Sequence, residues 1–324
     1  MTAHAQAFWT IGPGDGEIRD EGIGPASDND VVVRACHSGI SRGTEALVFL
    51  GHVPSTEYQR MRAPFQAGDL PWPVKYGYAS VGIVEEGPAE LTGRAVFALH
   101  PHQTRYVVPA AAVYPVPQGV PLRRAVLAAN METAINGVWD AAILPGDRVT
   151  VVGGGAVGCL VAWLAGGMPG CDVELVDVNQ ARRATAESIG VGFATPDTAR
   201  AGADVVVHAS GTAAGLDVAL RVAGDESVIT ELSWFGDQSV ALPLGGAFHA
   251  CRLTIRSSQV GRVATAQRPR WSNRRRMELA LRLLAEPRLD ALLTGACAFA
   301  ELPTVMRTLA HEPGTTVCHT VSYP

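Results

Sequence analysis

The chain has 324 residues, enough for about two domains of ordinary size, and 47% of them are hydrophobic against 18% charged. The formal net charge of -5, with no long basic run, argues against nucleic acid as a partner, because phosphate binding needs a concentrated cationic face. No apolar run reaches the ~18 residues that a membrane span needs, and the first residues lack the pattern of a signal peptide. We therefore expect a cytoplasmic protein that binds neither membranes nor nucleic acid.

The first 120 residues predict a β-rich domain, because short β-branched segments alternate there with Gly and Pro. The predicted strands are 30–34, 80–84, 94–98 and 106–108. Between them, residues 51–73 contain four prolines and predict a loop.

Residues 121–262 predict a different domain, in which strands and helices alternate as in a parallel, doubly wound sheet. The predicted strands are 148–152, 172–176, 204–207 and 227–232, and the predicted helices are 122–142, 159–165, 180–189 and 216–223. Residues 263–324 then predict a basic helix at 273–284 and a last strand at 317–321. We expect this C-terminal segment to return and pack on the first domain.

A glycine-rich turn lies between the predicted strand 148–152 and the helix after it. Gly153 permits a tight turn, Gly155 lets the backbone approach a pyrophosphate, and Gly158 allows close strand–helix packing. The N–H groups at the start of the following helix would then bind the phosphates. The turn thus predicts a dinucleotide site made by Gly153, Gly155, Ala156, Val157 and Gly158.

Asp177 ends the next predicted strand, about 20 residues beyond the glycines, where a carboxylate accepts hydrogen bonds from the adenosine ribose. Its charge would repel a 2′-phosphate, so NAD(H) is favoured as cofactor. NADP(H) stays possible, because Arg182 and Arg183 follow and an arginine can accommodate that phosphate. Either arginine could equally be a solvated helix charge.

The order of these parts resembles the medium-chain dehydrogenase/reductase superfamily over nearly the whole chain. The segments that carry the resemblance are 38–45 (SGISRGTE), 76–82 (YGYASVG), 105–109 (RYVVP) and 145–149 (PGDRV). The first of them is similar to the branch that holds bacteriochlorophyllide dehydrogenases and uncharacterised zinc-type relatives. The resemblance implies a GroES-like β-rich catalytic domain, a Rossmann domain, an oxidoreductase activity and a homodimer.

The chain departs from the zinc-dependent members of that superfamily at each metal ligand. Ser41 stands where those members have a cysteine, Tyr78 lies in place of the histidine of a Gly-His-Glu motif, and the third ligand falls near Ala129 or Asn130. Zinc needs thiolate, imidazole or carboxylate ligands, so we expect no metal. The structural-zinc lobe is also missing, because residues 94–96 run almost directly into residues 105–106.

Without zinc, other side chains must act on the substrate oxygen. Tyr78 could donate a hydrogen bond, His102 could serve as acid or base near neutral pH, and a buried Glu132 would have a raised pKa suited to proton transfer. Each could instead be structural: a cleft-wall aromatic, a loop histidine and a salt-bridged carboxylate. His100 is a weaker candidate of the same kind.

Several further residues are placed by the resemblance or left open. Thr133, Trp234 and Gln259 are expected beside the nicotinamide, with plain packing as the alternative. Glu45 and Arg42 flank the former metal loop and are expected to form internal ion pairs. The run 274–276, three arginines, is either the solvated start of a helix or a patch for an anionic group.

Three functions follow as hypotheses. The first is a metal-independent nicotinamide-dependent oxidoreductase that interconverts a carbonyl and an alcohol on a small to medium organic substrate. The second is a reductase of a conjugated C=C bond, quinone or imine. The third is a dinucleotide-binding protein without catalysis.

Overall fold

The computed structural model describes residues 3–312 and 314–324, and these form two compact units. Unit 1 comprises Met1–Ala129, Leu281–Pro287 and Leu293–Pro324, and unit 2 comprises Asn130–Ala280 and Arg288–Leu292. The structure therefore divides the chain at Ala129, later than the predicted boundary at 120. Most of the basic helix belongs to unit 2, although the C-terminal return was predicted to begin at 263.

Unit 1 begins with nine strands and two helices. They are β1 (Ala3–Gly12), β2 (Asp15–Ile23), β3 (Asp30–Ile40), α1 (Arg42–Leu50), β4 (Ala67–Gly68), β5 (Val74–Lys75), β6 (Ser80–Glu86), β7 (Ala95–Ala98), β8 (Arg105–Pro109), β9 (Val113–Pro115) and α2 (Leu122–Ala125).

Unit 2 alternates helices and strands, and the chain then returns to unit 1. The elements of unit 2 are α3 (Ala128–Ala141), β10 (Arg148–Val152), α4 (Ala156–Gly166), β11 (Asp172–Val176), α5 (Arg182–Ile189), β12 (Gly192–Ala194), β13 (Ala203–His208), α6 (Ala213–Val222), β14 (Ala223–Glu231), α7 (Ala247–Ala250), β15 (Thr254–Ser257) and α8 (Asn273–Leu283). The return contributes β16 (Leu293–Ala298), α9 (Leu302–His311) and β17 (Cys318–Ser322).

Two sheets form unit 1. The smaller has the order β2-β1-β5-β4, and the larger has the order β16-β17-β3-β6-β7-β9, with β8 also paired to β3. Helix α9 packs on this core through Leu302, Met306 and Leu309. The predicted strands are confirmed, whereas α1, β16 and α9 had not been predicted.

Unit 2 is built on six parallel strands in the order β12-β11-β10-β13-β14-β15. The first strand is central and the order reverses between β10 and β13, which is the switch point where doubly wound sheets bind ligands. Buried aliphatic side chains such as Val206, Leu220 and Ile229 form the core. The predicted Rossmann domain is confirmed.

The predicted helix 122–142 is wrong in one respect, because it consists of two helices, α2 and α3. The chain tightens between them, where the N–H of Leu127 bonds to the carbonyl of Arg124, three residues back rather than four. Val126 packs there against Gly39. A Cβ added to Gly39 would lie only 3.1 Å from the Val126 side chain. None of the described helices combines the length and apolar character that a bilayer-spanning segment needs.

Candidate active site

The carboxyl ends of the parallel strands gather most of the predicted cofactor residues at one edge of unit 2. The glycine turn follows β10, Asp177 follows β11, Trp234 lies beyond β14 and Gln259 lies just after β15. This clustering follows from the parallel topology, because all carboxyl ends of such a sheet share one edge.

The three motif glycines have different roles in the turn. Gly153 has φ +114°, and a Cβ there would lie 2.6 Å from the backbone N of Ser210. A Cβ on Gly158 would lie 1.8 Å from the carbonyl oxygen of Gly153. A Cβ added to Gly155 would have no atom within 4 Å. Gly155 is also the N-cap residue of α4. The fold thus requires Gly153 and Gly158, whereas Gly155 leaves open space beside the first N–H groups of the helix.

Asp177 is fixed to the glycine turn. Its Oδ2 accepts the N–H of Gly154 at 2.6 Å, and its Oδ1 accepts the N–H of Asn179 at 2.7 Å. These bonds hold the carboxylate at the edge of the turn, and each oxygen keeps a lone pair for a further donor.

The two arginines that follow Asp177 differ in exposure. Arg182 is buried, and its Cγ lies 3.1 Å from the position of a Cβ on Gly154, so it is not a solvated helix charge. Arg183 is exposed, with its guanidinium 4.9 Å from the centre of the Phe193 ring.

The remaining predicted cofactor residues are placed less tightly. Thr133 is half-buried in α3, and Trp234 is half-buried beyond β14. Gln259 is exposed, accepts the N–H of Gly261 at 2.7 Å, and lines a cavity of about 190 Å³ with Arg262 and others. Their roles beside a nicotinamide stay predictions.

In unit 1, the residues at two of the former zinc positions hydrogen-bond to each other. The half-buried Tyr78 hydroxyl donates to Oγ of the buried Ser41 at 2.6 Å. Burial and then the nearby Glu45 carboxylate raise the pKa of Tyr78 to about 12, so the phenol stays protonated and acts as a donor. The two residues therefore form a paired hydroxyl site, which we call the Tyr78–Ser41 pair.

A buried network supports this pair. Nε2 of His102 donates to Oε2 of Glu45 at 2.8 Å, while Oε1 of Glu45 accepts the N–H of Ser41 at 2.7 Å. Nδ1 of His102 lies 2.7 Å from Oγ of Ser38, which lies 2.9 Å from the Tyr323 hydroxyl. The structure thus brings His102 close to Tyr78 through Glu45. Glu45 was predicted to form an internal ion pair, and its side-chain partner in the structure is His102, through this hydrogen bond.

His100 lies near this network, and burial determines its protonation state. Burial lowers its pKa to about 3, so the ring is neutral at physiological pH. Because a carbonyl only accepts, Nδ1 carries the hydrogen and donates to the Pro101 oxygen at 3.0 Å. An imidazole held neutral in this way is a poor general acid near neutral pH.

Glu132 lies in unit 2. It forms a buried ion pair with Arg276 at 3.1 Å; burial raises the pKa of Glu132, and the Arg276 charge partly offsets this. Arg276 also donates to Asn136 and, at 2.5 Å, to the carbonyl of Val260. Arg276 is therefore neither a solvated helix charge nor part of an exposed anion patch, and it anchors the segment that contains Gln259.

A hydrogen-bonded chain at the sheet edge had not been predicted. His208 and Glu231 face each other at the ends of β13 and β14, and Nδ1 of His208 donates to Glu231 at 2.6 Å. Nε2 of His208 lies 2.6 Å from Oγ of Ser210, the residue that packs against Gly153. Only the strand register, which the sequence does not give, shows this pairing.

The donor atoms at the former zinc positions do not fit a zinc ion. Within residues 3–312 and 314–324, no group of three or more His, Cys, Asp or Glu side chains is arranged to hold a metal. The imidazole of His102, which contacts Glu45, has both ring nitrogens in hydrogen bonds. Hydroxyl groups alone make a poor zinc site.

Comparison with known proteins supports the fold. No protein-family model matches the chain. A curated relative, D-guloside 3-dehydrogenase of Escherichia coli K12, is 28% identical over 308 residues, covering 85% of this chain and 87% of the relative. The structure of L-idonate 5-dehydrogenase from E. coli K-12 aligns with TM-score 0.81, 15% identity and 99% coverage of both chains. An alcohol dehydrogenase from E. coli CFT073 in complex with NADH aligns with TM-score 0.76, 15% identity and 99% coverage of both chains.

Proposed function

We propose that this chain is a member of the medium-chain dehydrogenase/reductase superfamily and a nicotinamide-dependent oxidoreductase that interconverts a secondary alcohol and a carbonyl. One observation carries the proposal: the glycine turn and Asp177 lie at the switch point of a six-stranded parallel sheet. The names of the relatives, a guloside and an idonate dehydrogenase, favour a small, hydroxyl-rich substrate.

The residues of unit 2 fit a dinucleotide. Gly155 gives a pyrophosphate room beside the N-terminus of α4, and Asp177 offers its free lone pairs to the adenosine ribose. When bound, the nicotinamide supplies the hydride-transfer chemistry. The charge of Asp177 favours NAD(H) over NADP(H).

The Tyr78–Ser41 pair acts on the substrate oxygen in the place where relatives of zinc type use a metal. With a pKa of about 12, Tyr78 keeps its hydroxyl hydrogen, which points to Ser41 in the structure. During reduction this hydrogen turns toward the developing alkoxide and is transferred to it, Ser41 donates to the Tyr78 oxygen instead, and solvent then restores the proton that Tyr78 has lost. His102 acts through Glu45, which holds the backbone of Ser41. In this scheme His102 and Glu132 are positioning residues, and Tyr78 carries the catalytic role.

A second activity is favoured by the chemistry of the Tyr78–Ser41 pair, whose hydroxyl groups polarise an oxygen less strongly than a metal ion does. Conjugated C=C bonds, quinones and imines need less polarisation of an oxygen than an isolated ketone does. Reduction of such acceptors is therefore the alternative reaction at the same site.

The test is turnover by the purified protein with NADH and NADPH against polyols, keto sugars, enones and quinones. We expect oxidation of a polyol or reduction of its ketone, with NAD(H) preferred. Activity confined to enones or quinones would establish the alternative reaction. NADH binding without turnover across the panel would instead indicate a cofactor-binding protein that has lost catalysis.

A further inference from the structure

Unit 1 contains a cavity, largely open to solvent, that the proposed reaction does not use. It has a volume of about 250 Å³ and lies beside β2 and β8. Pockets for drug-sized ligands measure about 300–1,000 Å³, so this cavity suits a single-ring compound. The residues that give it chemistry are Glu21, Phe65, Lys75, His100, Gln103 and Tyr106. Neither Tyr78 nor Ser41 lines it.

Lys75 lines the cavity. It is the only lysine of the sequence, which has 25 arginines. Lys75 is buried, and its Nζ donates to Oε2 of Glu21 at 2.6 Å and to Oε1 of Gln103 at 2.8 Å. Nζ also lies 5.8 Å from the centre of the Trp9 ring. An ammonium has three N–H donors, so the third has no oxygen partner in the described part of the chain and can turn from the ring to a ligand acceptor. Because Glu21 balances the charge, the cavity favours a neutral ligand over an ion.

Stacked rings form one wall of the cavity. The His100 and Tyr106 rings are nearly parallel, with centroids 3.7 Å apart. The Phe65 ring is also stacked on His100, with centroids 5.7 Å apart and the two planes at 28°. Phe65 is 39% exposed, which leaves much of its ring available.

The backbone of Phe65 has a strained conformation. Its φ is +56°, a region that bulky side chains rarely adopt. Strain of this kind clusters at ligand sites, where the position of the side chain matters more than the local conformational energy.

His100 adds a hydrogen-bond acceptor. Its Nδ1 donates to the Pro101 carbonyl, so the neutral ring presents a lone pair on Nε2. Within the described residues, Nε2 forms no hydrogen bond, and it is not among the polar atoms that are sealed off without a partner. The cavity thus offers one donor, one acceptor and a flat aromatic wall.

We propose that this cavity binds a small, neutral, planar ring compound that carries a hydrogen-bond donor and an acceptor in its plane, such as an aromatic amide or a phenol. The ring stacks on the Phe65 side chain, its acceptor bonds to Nζ of Lys75, and its donor bonds to Nε2 of His100. The site is separate from the Tyr78–Ser41 pair and does not depend on the proposed oxidoreductase function.

The single lysine makes the test direct. Protein labelled with ¹³C-lysine gives one set of lysine signals, which reports on Lys75 alone, and 4-hydroxybenzamide is titrated in as the probe. The matched control ligand is 4-hydroxycyclohexanecarboxamide, which has similar polar groups without a planar ring. The variants are Phe65→Ala, Phe65→Leu, and Leu244→Ala, an exposed apolar residue of unit 2 as control.

We expect a saturable shift of the Lys75 signal with 4-hydroxybenzamide and about tenfold weaker binding in Phe65→Ala, because ring stacking and apolar burial are lost. Phe65→Leu should fall between that variant and the wild type, and Leu244→Ala should match the wild type. The proposal is overturned if the signal does not move, if the saturated amide binds as well, or if both Phe65 variants bind like wild type. Displacement of the probe by NADH would overturn the separateness of the site.

Discussion

The two units carry their functional residues in different ways. In unit 2 the glycine turn, Asp177 and the N-terminus of α4 act through backbone geometry, at positions set by consecutive strands and helices. In unit 1 the Tyr78–Ser41 pair and the Glu45–His102 pair join side chains that are 37 and 57 residues apart. The first kind of site is local in sequence, and the second depends on the packing of a whole sheet.

This difference indicates how the two sites can vary. The backbone site tolerates little change, because Gly153 and Gly158 have no room for a side chain. Unit 2 thus presents a site made of backbone groups, whereas unit 1 presents the hydrogen-bonded Tyr78–Ser41 pair.

The largest effect is expected from Gly158→Ala. The new Cβ would lie 1.8 Å from the carbonyl oxygen of Gly153, and backbone cannot move aside as a flexible side chain can. Overpacking typically costs about 1–3 kcal/mol, and a contact this short with backbone should lower the free energy of unfolding by more than that. NADH binding should be lost as well. Thermal melting and fluorescence titration measure the two effects.

Gly155→Ala is the matched control within the same turn. No atom lies within 4 Å of the new Cβ, so the melting temperature should stay at the wild-type value while NADH affinity falls. Gly245→Ala, also without a neighbour within 4 Å, should change neither. Equal NADH affinity of Gly155→Ala and wild type would contradict the placement of the pyrophosphate.

The next effect concerns the buried ion pair of unit 2. Arg276→Met leaves Glu132 buried without its partner and should lower the free energy of unfolding by about 3–5 kcal/mol. Arg274→Met, on the exposed side of the same helix, should cost less than about 1 kcal/mol. Urea unfolding of both variants checks this, and similar losses would show that Arg276 is not an anchor.

Tyr78→Phe should lower kcat by roughly 10²-fold, because it removes the proton donor at the substrate oxygen. NADH affinity should not change. Tyr76→Phe makes the same chemical change on a neighbouring ring, 6.1 Å away, and should retain activity. If Tyr78→Phe retained wild-type kcat, the phenol would have no part in the reaction.

The pH profile provides a second test of Tyr78. A phenol with a pKa near 12 stays protonated throughout the usual assay range. Carbonyl reduction should therefore show no loss that depends on Tyr78 up to about pH 10. A fall in the rate of carbonyl reduction near pH 8 that is absent from the Tyr78→Phe variant would contradict the raised pKa of Tyr78.

The smallest effect is expected from Asp177→Asn. The change removes the charge that repels a 2′-phosphate, so the preference for NADH over NADPH should fall about tenfold, or ~1.4 kcal/mol. Glu187→Gln, an exposed carboxylate of α5, should leave the preference unchanged. Fluorescence titration with both cofactors measures the ratio, and an unaltered ratio for Asp177→Asn would refute the carboxylate argument.

Much of unit 2 could be predicted from the sequence, because its signals are short-range. The turn from Gly153 to Gly158 and the position of Asp177 follow from strand–helix alternation and a fixed spacing. The burial of Arg182 and the Glu132–Arg276 pair could not be predicted, since the second joins residues 144 positions apart. In unit 1, Ser41 and Tyr78 could be identified as departures from a zinc site, but their mutual hydrogen bond depends on how α1 and the turn before β6 meet.

The measurement that most directly tests the central claim is activity after metal removal. The protein is treated with a chelator, its metal content is determined, and NADH-linked turnover is assayed with and without added Zn²⁺ on a substrate identified by the panel. If the Tyr78–Ser41 pair acts on the substrate oxygen, the metal-free protein keeps full activity and added Zn²⁺ does not increase it. Activity that disappears with a stoichiometric metal and returns on its addition would contradict this account.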